Sequence, residues 1–260
     1  MKWALGVEYL GLAYCGWQKQ RHCDSVQQHV ETALSKIAAE SVDVFCAGRT
    51  DTGVNAIGQV IHFETQAERP ERAWLEGTNT HLPDDIRISW AKVVEPDFHA
   101  RFSAVARQYR YVIYNRPNRS AILSGRVTWE RVKLDETSMQ QAANALLGEH
   151  DFSSFRAAEC QASHARRNVQ MIKVTRRGDM VFIDIKANAF LHHMVRNIAG
   201  TLIQIGRQQA PVDWVAELLA LKDRTKATVT APATGLYFVS AFYPERYTIP
   251  LLQPSEVLWQ

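Results

Sequence analysis

The sequence predicts an α+β fold with a mostly antiparallel sheet. Segments with alternating apolar and polar residues outnumber helical segments, and two of them are typical of a hairpin around Gly178-Asp179. A set of strands with a helix before about residue 103 is followed by a similar set after it. No linker rich in glycine or serine separates the two halves, so a continuous sheet through both is compatible with the sequence.

The first half is predicted to contain one helix and several strands. Ser25 begins the helix, because Ser25 and Gln28 form a capping box that satisfies free amides at a helix start. Apolar residues then recur at helical spacing, at Val26, Val30, Ala33, Leu34 and Ile37. The predicted strands are Trp3–Tyr9, Val42–Ala47, Ile57–Glu64 and Ile86–Val94.

The second half adds four strands and three helices. The predicted strands are Arg107–Asn115, Val169–Arg176, Met180–Ala187 and Leu236–Phe242. The predicted helices are 135–147, capped by Asp135 and closed by Gly148, then 191–205 and 211–222. We place the halves at 1–103 and 104–250, with a C-terminal tail at 251–260.

Composition excludes several classes of protein. A chain of 260 residues with 46% hydrophobic and 22% charged residues is typical of a soluble globular protein, not of a disordered or collagen-like one. No apolar run approaches the ~20 residues that span a membrane, and the first residues lack the apolar stretch of a secretory signal. We therefore expect a cytoplasmic protein that does not bind a membrane.

The four cysteines lie at positions 15, 23, 46 and 160 and form no CxxC pair. Their spacing matches no zinc pattern, so we expect no metal site. Because no export signal is present, we expect all four to be reduced thiols in or near the core.

Basic residues are concentrated in three runs without an acid, although the net charge is only +3. From 98 to 129 there are six arginines: Arg101, Arg107, Arg110, Arg116, Arg119 and Arg126. The runs 160–178 and 185–212 add Arg166, Arg167, Lys173, Arg176, Arg177, Lys186, Arg196 and Arg207. A single run is explained by a solvated face balanced elsewhere, whereas three runs with nearby aromatic residues favour a nucleic-acid partner.

The segment Gly48-Arg49-Thr50-Asp51-Thr52-Gly53 lies between two predicted strands. It is compatible with a plain turn in which Asp51 bonds local amides. It is also compatible with a rigid turn that presents a carboxylate, beside Arg49, as a nucleophile or base.

Arg196 lies off the apolar stripe of the helix 191–205. It is either a solvated surface arginine or a cleft residue that keeps a carboxylate ionised. His192 and His193 are adjacent on the same predicted helix, where neighbouring side chains diverge by ~100°, so a shared metal ion is not expected.

Tyr109 and Tyr111 share one face of the strand 107–115. They are compatible with ordinary aromatic packing in a sheet and with a platform that stacks a nucleobase. The sequence has no Walker A segment, no Rossmann glycine fingerprint and no HExxH, which argues against nucleotide-driven and zinc-hydrolase chemistry.

Six segments together resemble the TruA-type tRNA pseudouridine synthase family, most strongly its bacterial members. Cys46–Val54 is similar to the active-site motif of that family. The other segments follow in order along nearly the whole chain: Gly16-Trp17-Gln18, Arg107–Tyr111, Asp151–Arg156, Lys186–Asn197 and Ala233–Tyr237. Six ordered matches make the resemblance specific.

The resemblance implies two similar α+β halves that share a central antiparallel sheet, flanked by helices, with an active-site cleft between the halves. It implies a homodimer that binds tRNA. The implied activity is isomerisation of uridine to pseudouridine at positions 38, 39 and 40 of the anticodon stem-loop, without a cofactor or a metal.

The resemblance also implies residue roles. Asp51 falls on the essential aspartate, Tyr109 on the tyrosine that packs on the target base, and Arg196 on the arginine that pairs with the aspartate. Arg49 falls on an arginine linked to base flipping, and Leu236 on an apolar wall of the uracil pocket.

Two positions depart from the family pattern. Asn55 stands where the family usually has histidine, and Leu10 where an aspartate usually follows the tyrosine. Neither is a core catalytic position, so they affect RNA contacts or turn geometry and not the reaction.

Two other functions are compatible with parts of this pattern. A non-catalytic tRNA-binding or folding module would share the basic runs and tyrosines, but it has no need for Asp51 opposite Arg196. A carboxylate-dependent nuclease would need several acids around a metal, and near Asp51 the sequence offers few, among them Asp43 and Glu64.

Overall fold

The computed structural model describes residues 1–157, 160, 162–227 and 229–251. These residues form an α+β fold with mostly antiparallel strands and few helices, which confirms the predicted fold class. The chain divides into two compact units: unit 1 is Met1–Ala106 with the chain from Phe238 onward, and unit 2 is Arg107–Tyr237. This division falls close to the predicted boundary at 103, but it groups residues 238–250 with the first half. Apart from Leu251, the predicted tail 251–260 lies outside the described residues.

Unit 1 is built on three antiparallel strands. The strand β1 (Lys2–Tyr9) lies between β3 (Asn55–Glu64) and β4 (Ile86–Val93) and pairs with both. A two-residue strand, β2 (Phe45–Cys46), pairs with the middle of β3. β2 is much shorter than the predicted strand 42–47, because only these two residues reach the ladder of β3.

One α-helix and a shorter π-helical segment, Ala73–Gly77, contribute to the core of unit 1. The helix α1 (Val26–Ala38) begins at the predicted cap, where the Ser25 side chain accepts a hydrogen bond from the Gln28 amide at 3.4 Å. Its apolar face is buried except at Ile37, which is half-buried. Beneath the sheet, Trp74 packs against Trp3 and Phe63 with ring centroids 5.8 and 5.1 Å away.

Unit 2 contains a second antiparallel set of strands. The strands are β5 (Ala106–Asn115), β6 (Thr128–Glu130), β7 (Gly148–Asp151), β8 (Arg166–Arg177) and β9 (Met180–Ala187). β9 pairs with β5 and β8, and β8 pairs with β7, all antiparallel, whereas β6 is parallel to β5. The predicted hairpin is confirmed, with Gly178 at a positive φ of 55° in its turn. A last strand, β10 (Leu236–Phe242), has the predicted bounds, and its residues from Phe238 onward belong to unit 1.

Three helices complete unit 2. They are α2 (Glu136–Ala143), α3 (Met194–Gly206) and α4 (Trp214–Leu221). Asp135 caps α2 as predicted, accepting hydrogen bonds from the amides of Thr137 and Ser138. The whole predicted apolar stripe of α3 is buried, from Leu191 to Ile205.

Several local predictions are wrong. α3 begins at Met194 rather than Leu191, since His193 before it adopts a left-handed conformation with φ 61°. α2 is shorter than predicted and continues as a 3₁₀ turn at Asn144–Leu146. Cys15 and Cys23 form a disulfide with their Cα atoms 6.1 Å apart, so only Cys46 and Cys160 remain thiols.

Among the described residues, no helix has both the length and the apolar character to cross a membrane.

Candidate active site

The turn Gly48–Gly53 connects β2 to β3 in unit 1 and carries Asp51. Gln59, fully buried on β3, fixes the start of the turn through both backbone groups of Gly48. Its amide nitrogen donates to the Gly48 carbonyl at 2.6 Å, and its amide oxygen accepts from the Gly48 N–H at 3.3 Å. A buried glutamine in an apolar strand is thus explained by its role in holding this turn.

Thr50 anchors the middle of the turn from two directions. Its hydroxyl shares a hydrogen bond of 2.7 Å with the hydroxyl of Tyr9, which is buried on β1. Its carbonyl accepts a hydrogen bond of 3.0 Å from the backbone N–H of Trp17. Burial raises the pKa of Tyr9, so this phenol stays neutral and serves as a fixed support.

Glycine is required where the chain segment 11–17 contacts the turn. Gly16 has φ 89°, and a Cβ there would point at the backbone of Thr50 and Asp51. Gly53 closes the turn with φ 77°. These contacts give the motif Gly16-Trp17-Gln18 a structural role that its sequence alone does not disclose.

Asp51 is half-buried and Arg49 is exposed on this anchored turn. The Asp51 carbonyl accepts a hydrogen bond from the Val54 N–H at 3.1 Å, which tightens the turn behind the carboxylate. Asn55, one of the two departures from the family pattern, is fully buried and accepts a hydrogen bond of 2.8 Å from the Gly11 N–H. It therefore acts in turn geometry, one of the two effects expected from the sequence.

In unit 2, Tyr109 and Tyr111 lie on β5 in different surroundings. Tyr109 is 8% exposed and its ring meets Phe190 edge-on, with the centroids 5.0 Å apart. Tyr111 is fully buried, and its hydroxyl donates to the Pro232 carbonyl at 2.8 Å and bonds Thr128 at 2.5 Å. Burial raises the pKa of Tyr111, so Tyr111 is a core residue and of the two only Tyr109 retains an exposed edge.

Arg196 lies in the first turn of α3 and is half-buried. Its Nε donates to the Ala231 carbonyl at 2.8 Å, and its own carbonyl accepts from the Ala231 N–H at 3.1 Å. The guanidinium lies close enough to Tyr111 to favour the ionised form of that phenol. The segment Ala231-Pro232 thus links the arginine to the strand that carries Tyr109.

Asn197, fully buried beside Arg196, holds the start of α3. Its Nδ2 donates to the Phe155 carbonyl at 2.6 Å. Its Oδ1 accepts from the Thr230 hydroxyl at 2.7 Å and from the Arg224 guanidinium at 3.1 Å. The sequence includes Asn197 in a family segment but gives no sign of this role.

The prediction that His192 and His193 lie on a helix with diverging side chains is wrong. Both precede α3, and their ring centroids are 4.0 Å apart. His192 is exposed, and its carbonyl accepts a hydrogen bond of 2.9 Å from the Ala157 N–H.

Leu236, the first residue of β10, is 5% exposed. A 3₁₀ turn at Ala233–Gly235 precedes it. Gly235 is required there, because a Cβ would lie 2.5 Å from the Thr128 hydroxyl and 2.7 Å from the Val112 carbonyl.

The basic runs are partly neutralised in space. Arg110 forms a two-pronged ion pair with Asp184, at 2.8 and 2.9 Å, and Arg176 pairs with Glu136 at 2.8 Å. Arg207 pairs with the buried Glu130. Basic residues that have no acid near them in the sequence can therefore have an acidic partner in the fold. Other arginines of these runs are exposed, among them Arg116, Arg119 and Arg126.

Several known proteins are similar to this chain. The sequence model of a family described as tRNA pseudouridine synthase matches residues 6–103 and 142–244. The chain is 65% identical over 257 residues to "tRNA pseudouridine synthase A" of Hydrogenovibrio crunogenus, covering 99% of this chain and 98% of that protein. It is 56% identical to the protein of the same name from Colwellia psychrerythraea, covering 96% of each.

A solved structure titled "Crystal Structure of a Cbf5-Nop10-Gar1 Complex" overlaps 91% of this chain and 48% of its own, with a TM-score of 0.40 and 12% identity.

The sequence matches define the chain as an enzyme, an isomerase that acts on RNA. It belongs to the tRNA pseudouridine synthase family.

Proposed function

We propose that this enzyme isomerises uridine to pseudouridine at positions 38, 39 and 40 of the tRNA anticodon stem-loop. The observation that carries the proposal is the turn Gly48–Gly53, which resembles the active-site motif of the family and holds Asp51 half-buried beside two anchored residues, Gly48 and Thr50. The relatives that share 56–65% identity carry the name tRNA pseudouridine synthase A over nearly their full length.

The reaction needs no redox chemistry and no imported group. The bond between N1 of uracil and C1′ of ribose breaks, the ring turns, and C5 bonds to C1′. The C5 hydrogen leaves as a proton and N1 takes up a proton, so the product is an isomer of the substrate. A base inside a stem must first be flipped out, which costs a few kcal/mol that contacts in the pocket offset.

Asp51 is the proposed catalytic residue. Its carboxylate can attack C1′, attack C6 of the base, or take a proton during elimination to a glycal; each route requires the same ionised group. Carboxylates do comparable work at the anomeric carbon in glycosidases. The bonds to Gly48 and Thr50 fix the backbone that leads into Asp51. The carboxylate therefore loses little conformational freedom when it is positioned for the reaction.

The other roles follow the resemblance and the local surroundings. Tyr109, with its ring fixed edge-on by Phe190, would stack on the flipped uracil and accept the C5 proton. Arg196, held by Ala231, would keep Asp51 ionised. Arg49 would assist flipping from the exposed side of the turn, and Leu236 would form an apolar wall for the ring.

Docking is proposed to depend on backbone shape. The exposed arginines Arg116, Arg119 and Arg126 would contact phosphates, which fix register without reading sequence. Such docking suits an enzyme that modifies three adjacent positions. We further propose that the enzyme is a cytoplasmic homodimer, as the resemblance implies.

Tritium release from tRNA that contains [5-³H]uridine tests the reaction, because C5 loses its hydrogen only when the new C–C bond forms. We expect release by the parent protein, mapped to positions 38–40, and a loss of about 1,000-fold or more for Asp51→Asn. Asp43→Asn, an exposed acid on the same unit, is the matched control and should retain the parent rate.

Three outcomes would overturn parts of this proposal. Release from other positions would overturn the assignment to 38–40. An active Asp51→Asn variant would overturn the role of Asp51. A folded parent protein that binds tRNA but releases no tritium would be the non-catalytic binding module.

A further inference from the structure

Four aromatic rings form a continuous cluster at the surface of unit 1, which we call the aromatic ledge: Phe45, His62, His99 and Phe102. Phe45 stacks on His62 with centroids 5.1 Å apart, and His99 lies 4.5 Å from His62. Phe102 lies 4.3 Å from His99. The two outer rings are unusually open for phenylalanine, since Phe45 is 54% and Phe102 is 76% exposed.

The two histidines act as hydrogen-bond acceptors that fix the chain beneath the ledge. Nδ1 of His99 accepts from the backbone N–H groups of Arg101 and Phe102, at 3.1 and 3.3 Å. Nδ1 of His62 accepts from the N–H of Ala100 at 3.1 Å. Ser103 closes the turn, because its hydroxyl accepts from the His99 N–H and its own N–H donates to the His99 carbonyl.

These bonds fix the backbone of Arg101 and Phe102 at the surface of unit 1. The Arg101 guanidinium lies 5.5 Å from the centroid of the Phe102 ring. Burial lowers the pKa of His62 to about 4 and also lowers the pKa of His99, so both rings are neutral acceptors at neutral pH. Because the backbone that carries this exposed phenylalanine is already fixed, less conformational entropy is lost when a ligand binds to it.

The aromatic ledge adjoins the turn that carries Asp51. Phe45 begins β2, which runs directly into Gly48–Gly53. Arg49 of the turn and Arg101 beside the ledge both lie near the thiol of Cys46. Burial raises the pKa of this thiol to about 12, and the two arginines act in the opposite direction. The ledge is therefore bordered by cations on the side of the proposed catalytic turn.

From this placement we infer that the aromatic ledge binds an unpaired nucleotide of the RNA substrate, with its base stacked on Phe102 and its phosphate near Arg101. The inference rests on the proposed function for the identity of the RNA. An aromatic ring next to an arginine is the usual platform for an unstacked base, because every base offers a π face and every nucleotide a phosphate.

Charge favours RNA over a second copy of the chain. Arg49 and Arg101 are cations near the ledge, whereas Lys2 is paired with the nearby acid Glu64 at 3.1 Å. A symmetric contact between two ledges would bring these cations against their own copies. A phosphate backbone instead neutralises them.

Fluorescence anisotropy with full-length tRNA tests the inference. We expect Phe102→Ala to raise Kd by about 5- to 100-fold, the usual loss of one base–aromatic stack. Phe102→Trp, which keeps an aromatic face, should bind near the parent Kd. Arg101→Ala should reduce the slope of log Kd against log salt by about 1. Val93→Ala, an exposed apolar residue of the same unit, is the control and should bind as the parent does.

A second ligand separates stacking from general loss of affinity. A blunt RNA duplex of the same length has no unpaired base, so Phe102→Ala should leave its Kd within about twofold of the parent protein. Ultraviolet irradiation of the tRNA complex should then crosslink an unpaired nucleotide to the peptide that contains Phe102.

The outcomes distinguish this inference from the proposed function. Equal tRNA Kd values for Phe102→Ala and the parent protein would overturn the role of the ledge in RNA binding, whatever the catalytic result. An equal loss of affinity for tRNA and for the duplex would overturn it too. A change of oligomeric state in Phe102→Ala, seen by light scattering without a change in Kd, would make the ledge a contact between copies. If the parent protein releases no tritium but Phe102→Ala still weakens tRNA binding, the ledge stands and the proposed reaction fails.

Discussion

The turn that carries Asp51 and the helix start that carries Arg196 present a charged side chain in two different ways. In unit 1, the turn Gly48–Gly53 is held by bonds from three separate residues, Tyr9, Trp17 and Gln59. In unit 2, one buried amide, that of Asn197, satisfies three partners at the start of α3. Anchoring is distributed in the first region and concentrated in the second, so single substitutions should have unequal effects.

The largest effect is expected from Asn197→Ala. The change leaves the Phe155 carbonyl and the Thr230 hydroxyl without this partner and removes an acceptor from the Arg224 guanidinium. Buried groups that lose a partner cost ~1–3 kcal/mol each, so we expect unit 2 to lose about 3–5 kcal/mol. Hydrogen exchange of the peptide 191–199, with urea unfolding, measures it.

Gln141→Ala is the control for Asn197, because it removes an exposed amide from α2 of the same unit and should change stability by less than about 0.5 kcal/mol. If the two variants unfold at the same urea concentration, anchoring at α3 is not concentrated in Asn197.

Gly16→Ala should have an intermediate effect, because it disturbs two anchors of the turn together. The new Cβ would be strained at φ 89° and would push on the backbone of Thr50 and Asp51. We expect a local cost of about 2–4 kcal/mol and slower tritium release. Faster hydrogen exchange in the peptide 47–54 would locate the loss.

Gly178→Ala separates strain from contact. Gly178 also has a positive φ, 55°, but a Cβ there meets no atom within 4 Å. It should therefore lose only about 1 kcal/mol. Equal losses for the two variants would show that the contact of Gly16 with the turn contributes nothing.

The same contrast explains which parts of the site the sequence could predict. Apolar residues that recur every two or every 3.6 positions, with the Ser25 and Asp135 caps, predicted most strands and helices. These elements depend on local hydrogen bonds and on one buried face, which the sequence shows directly. The anchors were not predictable: Gln59 and Asn197 act through partners far along the chain.

Errors arose where distant partners override local pattern. The predicted start of α3 is wrong because a left-handed His193 interrupts an apolar stripe that continues from Leu191. The cysteine prediction is wrong because the loop before α1 brings Cys15 and Cys23 together, which spacing alone does not show. The roles of Asp51, Tyr109 and Arg196 stay predictions that rest on the family resemblance.

Among the anchoring residues, the smallest effect is expected from Tyr9→Phe, and it tests distributed anchoring most directly. The variant keeps the ring in the core and removes one hydroxyl, which leaves the buried Thr50 hydroxyl without that bond. The bonds from Trp17 and Gln59 remain, so we expect a loss of about 1 kcal/mol and a small change in tritium release. Urea unfolding and exchange of the peptide 47–54 measure both.

A double variant sharpens this test. Removing both partners of a buried hydrogen bond costs less than removing one, because no polar group is left unsatisfied. Tyr9→Phe combined with Thr50→Val should therefore lose less than the sum of the two single changes, by about 0.5–1 kcal/mol. Strict additivity would show that the two hydroxyls act separately. A loss in Tyr9→Phe as large as that of Asn197→Ala would show that one bond dominates this turn too, and the contrast between the two regions would fail.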